Sequence, residues 1–262
     1  MDEPREILER KMMSDLTEKE LLNELKVINL EDCSPLSWDK YFSQELYVNT
    51  NNGRFHILYA GEAGPVIFLI HGAGSSAQTW CLFARELLKQ VQVRVVAMDL
   101  RGHGLSTTDS DHDFNKNVLV NDIIDVINRM MVMLHINENI VLVGHSLGGA
   151  LATWVATLSL NHHLSGLVVI DVDEQAALDQ KSMFEHLISR PTSFSSIEKA
   201  IKYSYLNRKL SNLEADRLSI PGQLKKVSNK QEFVWKVDLF ETKQFWKGFS
   251  IISHLRLVFR IF

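Results

Sequence analysis

Cysteine is nearly absent from this chain of 262 residues: Cys33 and Cys81 are the only two. So few exclude a disulfide-dense scaffold, and reduced thiols in a cytoplasmic and/or nuclear protein are the expected state. No apolar run approaches the roughly 20 residues a membrane-spanning helix needs. The terminal stretch FSIISHLRLVFRIF is apolar but is interrupted by His254, Arg256 and Arg260. The opening MDEPREILERKMMSDLTEKELL is charged throughout and has no apolar core of a secretory signal. Internal repeats and low-complexity tracts are missing too. A formal net charge of -4 gives neither nucleic acid nor an anionic membrane a reason to bind, so neither is expected as a partner.

What is present is a composition of 45% hydrophobic and 23% charged residues, enough apolar material for one large α/β domain. Residues 1–33 read as a polar helical segment, centred on Pro4 to Asn29. Residues 34–262 read as the α/β domain. In it FHILYA (Phe55 to Ala60) alternates like an outer strand, and VIFLI (Val66 to Ile70) is apolar throughout, as a buried parallel strand is. An amphipathic helix follows over Gln78 to Gln90, then a strand over Val93 to Met98. A helix over Asn117 to Leu134 carries the stripe Val118, Ile123, Ile124, Ile127 and Met131. A strand at Ile140 to Val143, a helix at Ala150 to Leu160 and a strand at Gly166 to Ile170 complete an alternation that predicts a mostly parallel sheet flanked by helices. Three helices without a strand between them are then expected, at Ala176 to Ser189, Ser195 to Tyr205 and Asn212 to Lys226. They form a helical lid insertion at about 174–232 over the strand C-termini, where clefts in such sheets lie.

Gly144-His145-Ser146-Leu147-Gly148 fits the G-x-S-x-G nucleophile elbow, which places a serine on a tight turn between strand and helix. The flanking strand and helix supply the context the motif requires. Ser146 is the candidate nucleophile, and the Leu147 N–H at the helix N-terminus is a candidate oxyanion donor. The second donor is expected from His71-Gly72-Ala73-Gly74, which follows an earlier strand, with the Ala73 N–H aimed at the site. Gly72, Gly74, Gly144 and Gly148 are the supporting glycines. The loop Asp99-Leu100-Arg101-Gly102-His103-Gly104-Leu105-Ser106 reads as a structured support beneath the site. His103 precedes the serine, the wrong order for the base of this fold, so a structural role is expected for Asp99, Arg101 and His103.

The acid that orients a base follows the next strand: Asp171 is the first choice and Asp173 the second, with helix N-capping as the alternative role for both. After Asp171 only His186 and His254 are available as the base, and neither follows a recognisable strand. His145 flanks the nucleophile and cannot serve Oγ as a triad base does. The pattern thus reads as C-terminally incomplete, with the last strands missing and on the order of 60 further residues needed for two strand–helix units. No metal ion or organic cofactor is expected.

These residues resemble the α/β-hydrolase superfamily and, within it, the protein phosphatase methylesterase family. The segments that carry the resemblance are SPLSWDKYF, VVAMDLRGHG, VGHSLGGALA, GLVVIDVDEQAALD, SRPTSFSSIEKAIKYS, NLEADRLSIPGQLK and FVWKVDLFETKQFWKGF, spread over roughly residues 34–250. The resemblance implies an α/β-hydrolase fold and a carboxylic ester hydrolase. Its implied substrate is the methyl ester on the C-terminal leucine of the type 2A protein phosphatase catalytic subunit, whose methylated tail is the implied partner. By position it places the nucleophile on Ser146 and the acid on Asp171, and it puts the base after a strand this chain does not contain. Two other readings stay open on the residues alone: a catalytically incomplete chain that binds the phosphatase without hydrolysis, and a general small-ester hydrolase.

Overall fold

The computed structural model describes residues 28–158, 164–172, 190–207 and 212–249. The helix expected at Ala176 to Ser189, nearly all of the one expected at Pro4 to Asn29, and Asp173, His186 and His254 lie outside those residues.

Seven strands form one mixed sheet: β1 (Gln44–Asn49), β2 (Gly53–Ala60), β3 (Val66–Ile70), β4 (Arg94–Met98), β5 (Thr107–Thr108), β6 (Ile140–His145) and β7 (Leu164–Ile170). Their order is β1-β2-β4-β3-β6-β7, with β5 on β2. β4, β3, β6 and β7 run parallel, while β1 and β2 add an antiparallel hairpin at one edge. Strand β1 was not expected, because only one of its six residues, Val48, is buried and no apolar period marks it. The Asn52-Gly53 pair that closes its hairpin is the signal that could have found it.

Burial on both faces follows from the apolar runs. Val66, Phe68 and Ile70 of β3 join Phe55, Ile57, Val96 and Met98 in a core covered by two helices, α2 (Lys116–Met133) and α3 (Leu147–Leu158). Leu69, with Leu58, Val95 and Ala97, faces the other way onto Trp80 and Ala84, beneath α1 (Cys81–Gln90). Each fully buried side chain of this size contributes about 1.5–3 kcal/mol. The first turn of the helix expected from Gln78 is a separate tight turn at Ala77–Trp80. In α2 the buried stripe is Leu119, Ile123, Val126, Ile127 and Met130, an i, i+4, i+7 pattern capped at its start by Asn115. Among the described residues β7 pairs only with β6, and its Val168 and Ile170 are exposed.

Beyond residue 190 the expectation of helices without strands is corrected. Helices α4 (Ile197–Asn207) and α5 (Leu213–Ser219) are accompanied by a three-stranded antiparallel sheet of β8 (Ser193–Phe194), β9 (Leu224–Lys226) and β10 (Phe233–Trp235). The helix expected to reach Lys226 stops at Ser219. Pro221 has no N–H to continue it, and Gly222 disfavours helix, so the chain turns and enters β9. Helix α5 is fastened to the body. Arg217 donates to the Ser34 carbonyl (2.6 Å), Leu36 N–H donates to the Arg217 carbonyl (3.0 Å), and Glu214 accepts from Tyr41 (2.7 Å) and Arg85 (2.6 Å). Trp38, Tyr41 and Phe42 of the SPLSWDKYF segment pack into the same core as Leu218.

Candidate active site

Ser146 occupies the single residue between β6 and α3 and has φ +50, a left-handed conformation that a side chain enters at a cost of about 1–3 kcal/mol. Two features hold it there. Its N–H donates to the Ile170 carbonyl of the neighbouring strand (2.9 Å), and its own carbonyl accepts from Gly149 (2.9 Å) and Ala150 (3.1 Å) as the helix begins. Gly144 and Gly148 permit the turn by close approach: a Cβ on Gly144 would collide with the Gly148 carbonyl, and one on Gly148 with the Ile70 carbonyl of β3. The motif's glycines are thus fixed by contact, and Ser146 is left exposed at the strand ends.

The loop from His71 to Ala77 lies alongside. Its shape is set from beneath by three buried histidines and an aspartate. His71 places Nδ1 on the Gly72 carbonyl (2.8 Å) and accepts the Leu100 N–H at Nε2 (3.0 Å). His103 places Nδ1 on the Arg101 carbonyl (2.7 Å) and accepts the Gly74 N–H at Nε2 (3.0 Å). Each ring therefore donates from Nδ1 and accepts at Nε2, a neutral tautomer with both nitrogens engaged. Burial pushes both down, His103 to about 3, with His71 beside it adding to the fall. Asp99 takes the His56 ring at 2.6 Å, the Ala77 N–H at 2.6 Å and the Leu105 N–H at 2.8 Å. Burial alone would raise its carboxyl, but His56 above all, with His71 and the Ala77 N–H, outweighs it and holds it at about 2. Arg101 makes a bidentate pair with buried Asp122 (2.7 and 2.9 Å). The supporting role expected for Asp99, Arg101 and His103 matches these bonds. Ala73 stands exposed at the tip of the loop. Among the described residues no acceptor is placed against its N–H or that of Leu147.

Asp171 follows β7 just as Ser146 follows β6. The last paired residues of the two strands, Ile170 and His145, are in register, so serine and carboxylate emerge side by side. Asp171 also has positive φ (+51). Its side chain is 82% exposed, and His145 Nε2 stands 3.8 Å from its Oδ2. Sequence reading did not anticipate that approach. Residues 236–239 cross the far end of the loop. Lys236 Nζ donates to the Gly104 carbonyl, and Leu239 packs over Gly74. A cavity of about 950 Å³ opens beside this crossing, between the 102–114 loop and the small sheet, with Phe114, Trp235, Val237 and Leu239 on its walls. Ser146 does not line it.

The structure thus sets Ser146 and Leu147 beside Asp171, packs Gly72, Gly144 and Gly148 around the elbow, and leaves Ala73 and Gly74 on the adjoining loop. It also adds residues that sequence reading missed: His56, Asp122, Lys236 and Leu239. His56 had a signal, a polar residue inside the apolar run FHILYA. The other three meet the site only through tertiary packing. Among the described residues there is no cluster of three His, Cys, Asp or Glu that could hold a metal ion, and no helix long and apolar enough to cross a membrane.

Residues 67–257 match the alpha/beta hydrolase family. A Caenorhabditis elegans protein named probable protein phosphatase methylesterase 1 is 37% identical over 221 residues, 83% of this chain and 59% of its own length. Human protein phosphatase methylesterase 1 is 38% identical over 199 residues, 74% of this chain and 51% of its own length. The protein of that name from Schizosaccharomyces pombe is 33% identical over 247 residues, 89% of this chain and 72% of its own length. The chain thus spans only 51–59% of the animal relatives. Among solved structures, E-2-(acetamidomethylene)succinate hydrolase superposes with a TM-score of 0.66 at 21% identity, over 82% of this chain and 77% of its own. The thioesterase domain from the curacin biosynthetic pathway gives 0.61 at 20% identity, over 82% and 79%. At that identity the two structures speak for the fold alone.

Proposed function

From the premise that this chain belongs to the alpha/beta hydrolase family and, within it, to the protein phosphatase methylesterases, we propose that it is a serine carboxylesterase. Its substrate in this reading is the methyl ester on the C-terminal leucine of the type 2A protein phosphatase catalytic subunit. The observation that carries the reading is the strained Ser146, pinned through its N–H to Ile170, at the end of the strand beside the one that delivers Asp171. Ser146 Oγ attacks the ester carbonyl as a base takes its proton. The N–H groups of Ala73 and Leu147 hold the resulting oxyanion. The base returns the proton to the departing methoxide, methanol leaves, and water hydrolyses the acyl-enzyme to the free carboxylate. This chemistry calls for no metal or organic cofactor.

Asp171 is the acid that orients the base. The base itself comes from outside the described residues, since both ring nitrogens of His71 and of His103 are already engaged. In this chain His186 and His254 are the two candidates for it. The lid in this reading spans about residues 174–232, and the cavity beside Leu239, which Ser146 does not line, takes a part of the phosphatase away from the ester. Cys33 and Cys81, both buried and unbridged, support a cytoplasmic or nuclear location.

The test is loss of the methyl group from methylated phosphatase catalytic subunit, followed with a methyl-specific antibody. The chain demethylates it and Ser146→Ala does not. Equal demethylation by the variant would sink the assignment. Binding to the phosphatase without demethylation would make this chain a cap on the phosphatase, and rapid turnover of p-nitrophenyl acetate with no action on the phosphatase would make it a general esterase.

A further inference from the structure

Beneath the His71–Ala77 loop a line of polar side chains runs from the surface of β1 to the foot of the loop. Glu45 Oε1 on β1 stands 3.1 Å from His56 Nε2 on β2, and His56 Nδ1 stands 2.6 Å from Asp99 Oδ2. Asp99 accepts the Ala77 N–H through its other oxygen (2.6 Å) and the Leu105 N–H through Oδ2 (2.8 Å). Strand pairing sets the first contact. Tyr47 lies opposite His56, so Glu45, two residues away on the same face, is its diagonal neighbour. The main chain fixes the second, because the Asp99 N–H donates to the His56 carbonyl (2.9 Å) and the His56 N–H to Ser106 Oγ (3.0 Å). His56 and Asp99 are buried, while the Glu45 side chain is 32% exposed.

His56 differs from the two buried histidines beside it in what its ring meets. His71 and His103 each set one nitrogen against a carbonyl and the other against an amide N–H, which only a neutral ring satisfies. Both nitrogens of His56 face carboxylate oxygens, which only accept, so the ring satisfies both by donating twice. A buried cation is tolerated when it is paired and bonded, and this one is paired on both sides. Tyr47, its ring centroid 5.4 Å from that of His56, and Arg54, stacked on Tyr47 at 3.6 Å, flank the ring on the hairpin, and His71 acts on Asp99 from the other side. We propose that His56 is a buried imidazolium clamped between Asp99 and Glu45, and that Glu45 and His56 are positioning residues for the loop that presents the Ala73 N–H. The clamp keeps the Asp99 carboxylate aimed at the Ala77 N–H, so a charge delivered from the edge hairpin fixes the foot of the loop. The positioning half rests on the oxyanion reading of Ala73; the charge half does not.

Nitrogen NMR of the intact chain, isotope-labelled at histidine, reads the charge, with His56→Gln to assign the ring signals. Should that variant fail to fold, nuclear Overhauser contacts to the Tyr47 ring assign them instead. At about pH 8 a free histidine is neutral. His56 is expected to carry a proton on both nitrogens there, while His71 and His103 carry one each. A single proton on His56 overturns the cation. Glu45→Gln tests the positioning, because it keeps an acceptor in reach and removes only the charge. It is expected to leave one His56 nitrogen without its proton at that pH. It is also expected to speed amide exchange at Ala77 and Leu105 several-fold while β3 and α2 keep their rates. An unchanged rate at Ala77, or a uniform rise across all of them, overturns the positioning. Neither readout needs turnover, so an esterase assignment that failed would leave both standing.

Discussion

The two halves of the candidate site are built in opposite ways. On the donor side, the elbow and the His71–Ala77 loop are over-determined. Glycines sit where carbonyls leave no room for a Cβ, and each of His71, His103 and Asp99 is buried with its polar atoms engaged. On the acid side, Asp171 hangs from the last strand of the described sheet, 82% exposed, with one imidazole 3.8 Å away. An oxyanion site has to be rigid before substrate arrives, because its value lies in dipoles that need not reorganise. A carboxylate that orients a base gains its own geometry only from that base. Under the proposed mechanism, the exposed Asp171 is the half that would take up a histidine.

Breaking the donor side should cost far more stability than breaking the acid side. The largest loss is expected for Asp99→Ala, about 3–5 kcal/mol, since it strands buried His56 and the N–H groups of Ala77 and Leu105. Urea denaturation would show it as a lowered midpoint. Gly148→Ala should cost about 3 kcal/mol by forcing α3 off the Ile70 carbonyl; if its midpoint matched that of the parent, close approach would not explain the motif. Acid comes next. His103 binds its proton at about 3 when folded and near 6.5 when unfolded, so between those values the unfolded chain holds more protons and stability rises with pH. Its contribution is complete above pH 6.5 and is lost as pH falls towards 3, on the order of 2 kcal/mol by pH 5. His71 shifts the same way and steepens the loss. A flat stability profile from pH 7 to 5 would contradict the neutral-histidine scaffold. The smallest stability change belongs to Asp171→Asn, within about 0.5 kcal/mol. The same change should lower turnover on the order of 10⁴-fold in the active enzyme. Intact turnover would remove Asp171 from the mechanism.

Much of this arrangement was legible in the sequence, because the signals were local. The buried strands are uninterrupted apolar runs, and the elbow is one contiguous motif whose glycines are demanded by contacts within a few ångströms. Asp171 could be chosen because strand ends on one rim follow from topology. Strand β1 escaped notice because a half-exposed edge strand has little apolar period. The small sheet at 193–235 escaped because two- and three-residue strands leave no period at all, though Pro221-Gly222 marked the break. The Arg101–Asp122 and Asp99–His56 pairs join residues 21 and 43 apart in sequence. Partner choice at that range is set by packing, which no local pattern encodes.

The most direct measurement is labelling of the folded 262-residue chain with a fluorophosphonate, with peptide mapping of the adduct and Ser146→Ala alongside. An activated serine on the preorganised donor side predicts a single adduct on Ser146 that vanishes in the variant. A folded chain that takes no label, or takes it at another residue, would contradict the assignment of Ser146 as the nucleophile of this chain.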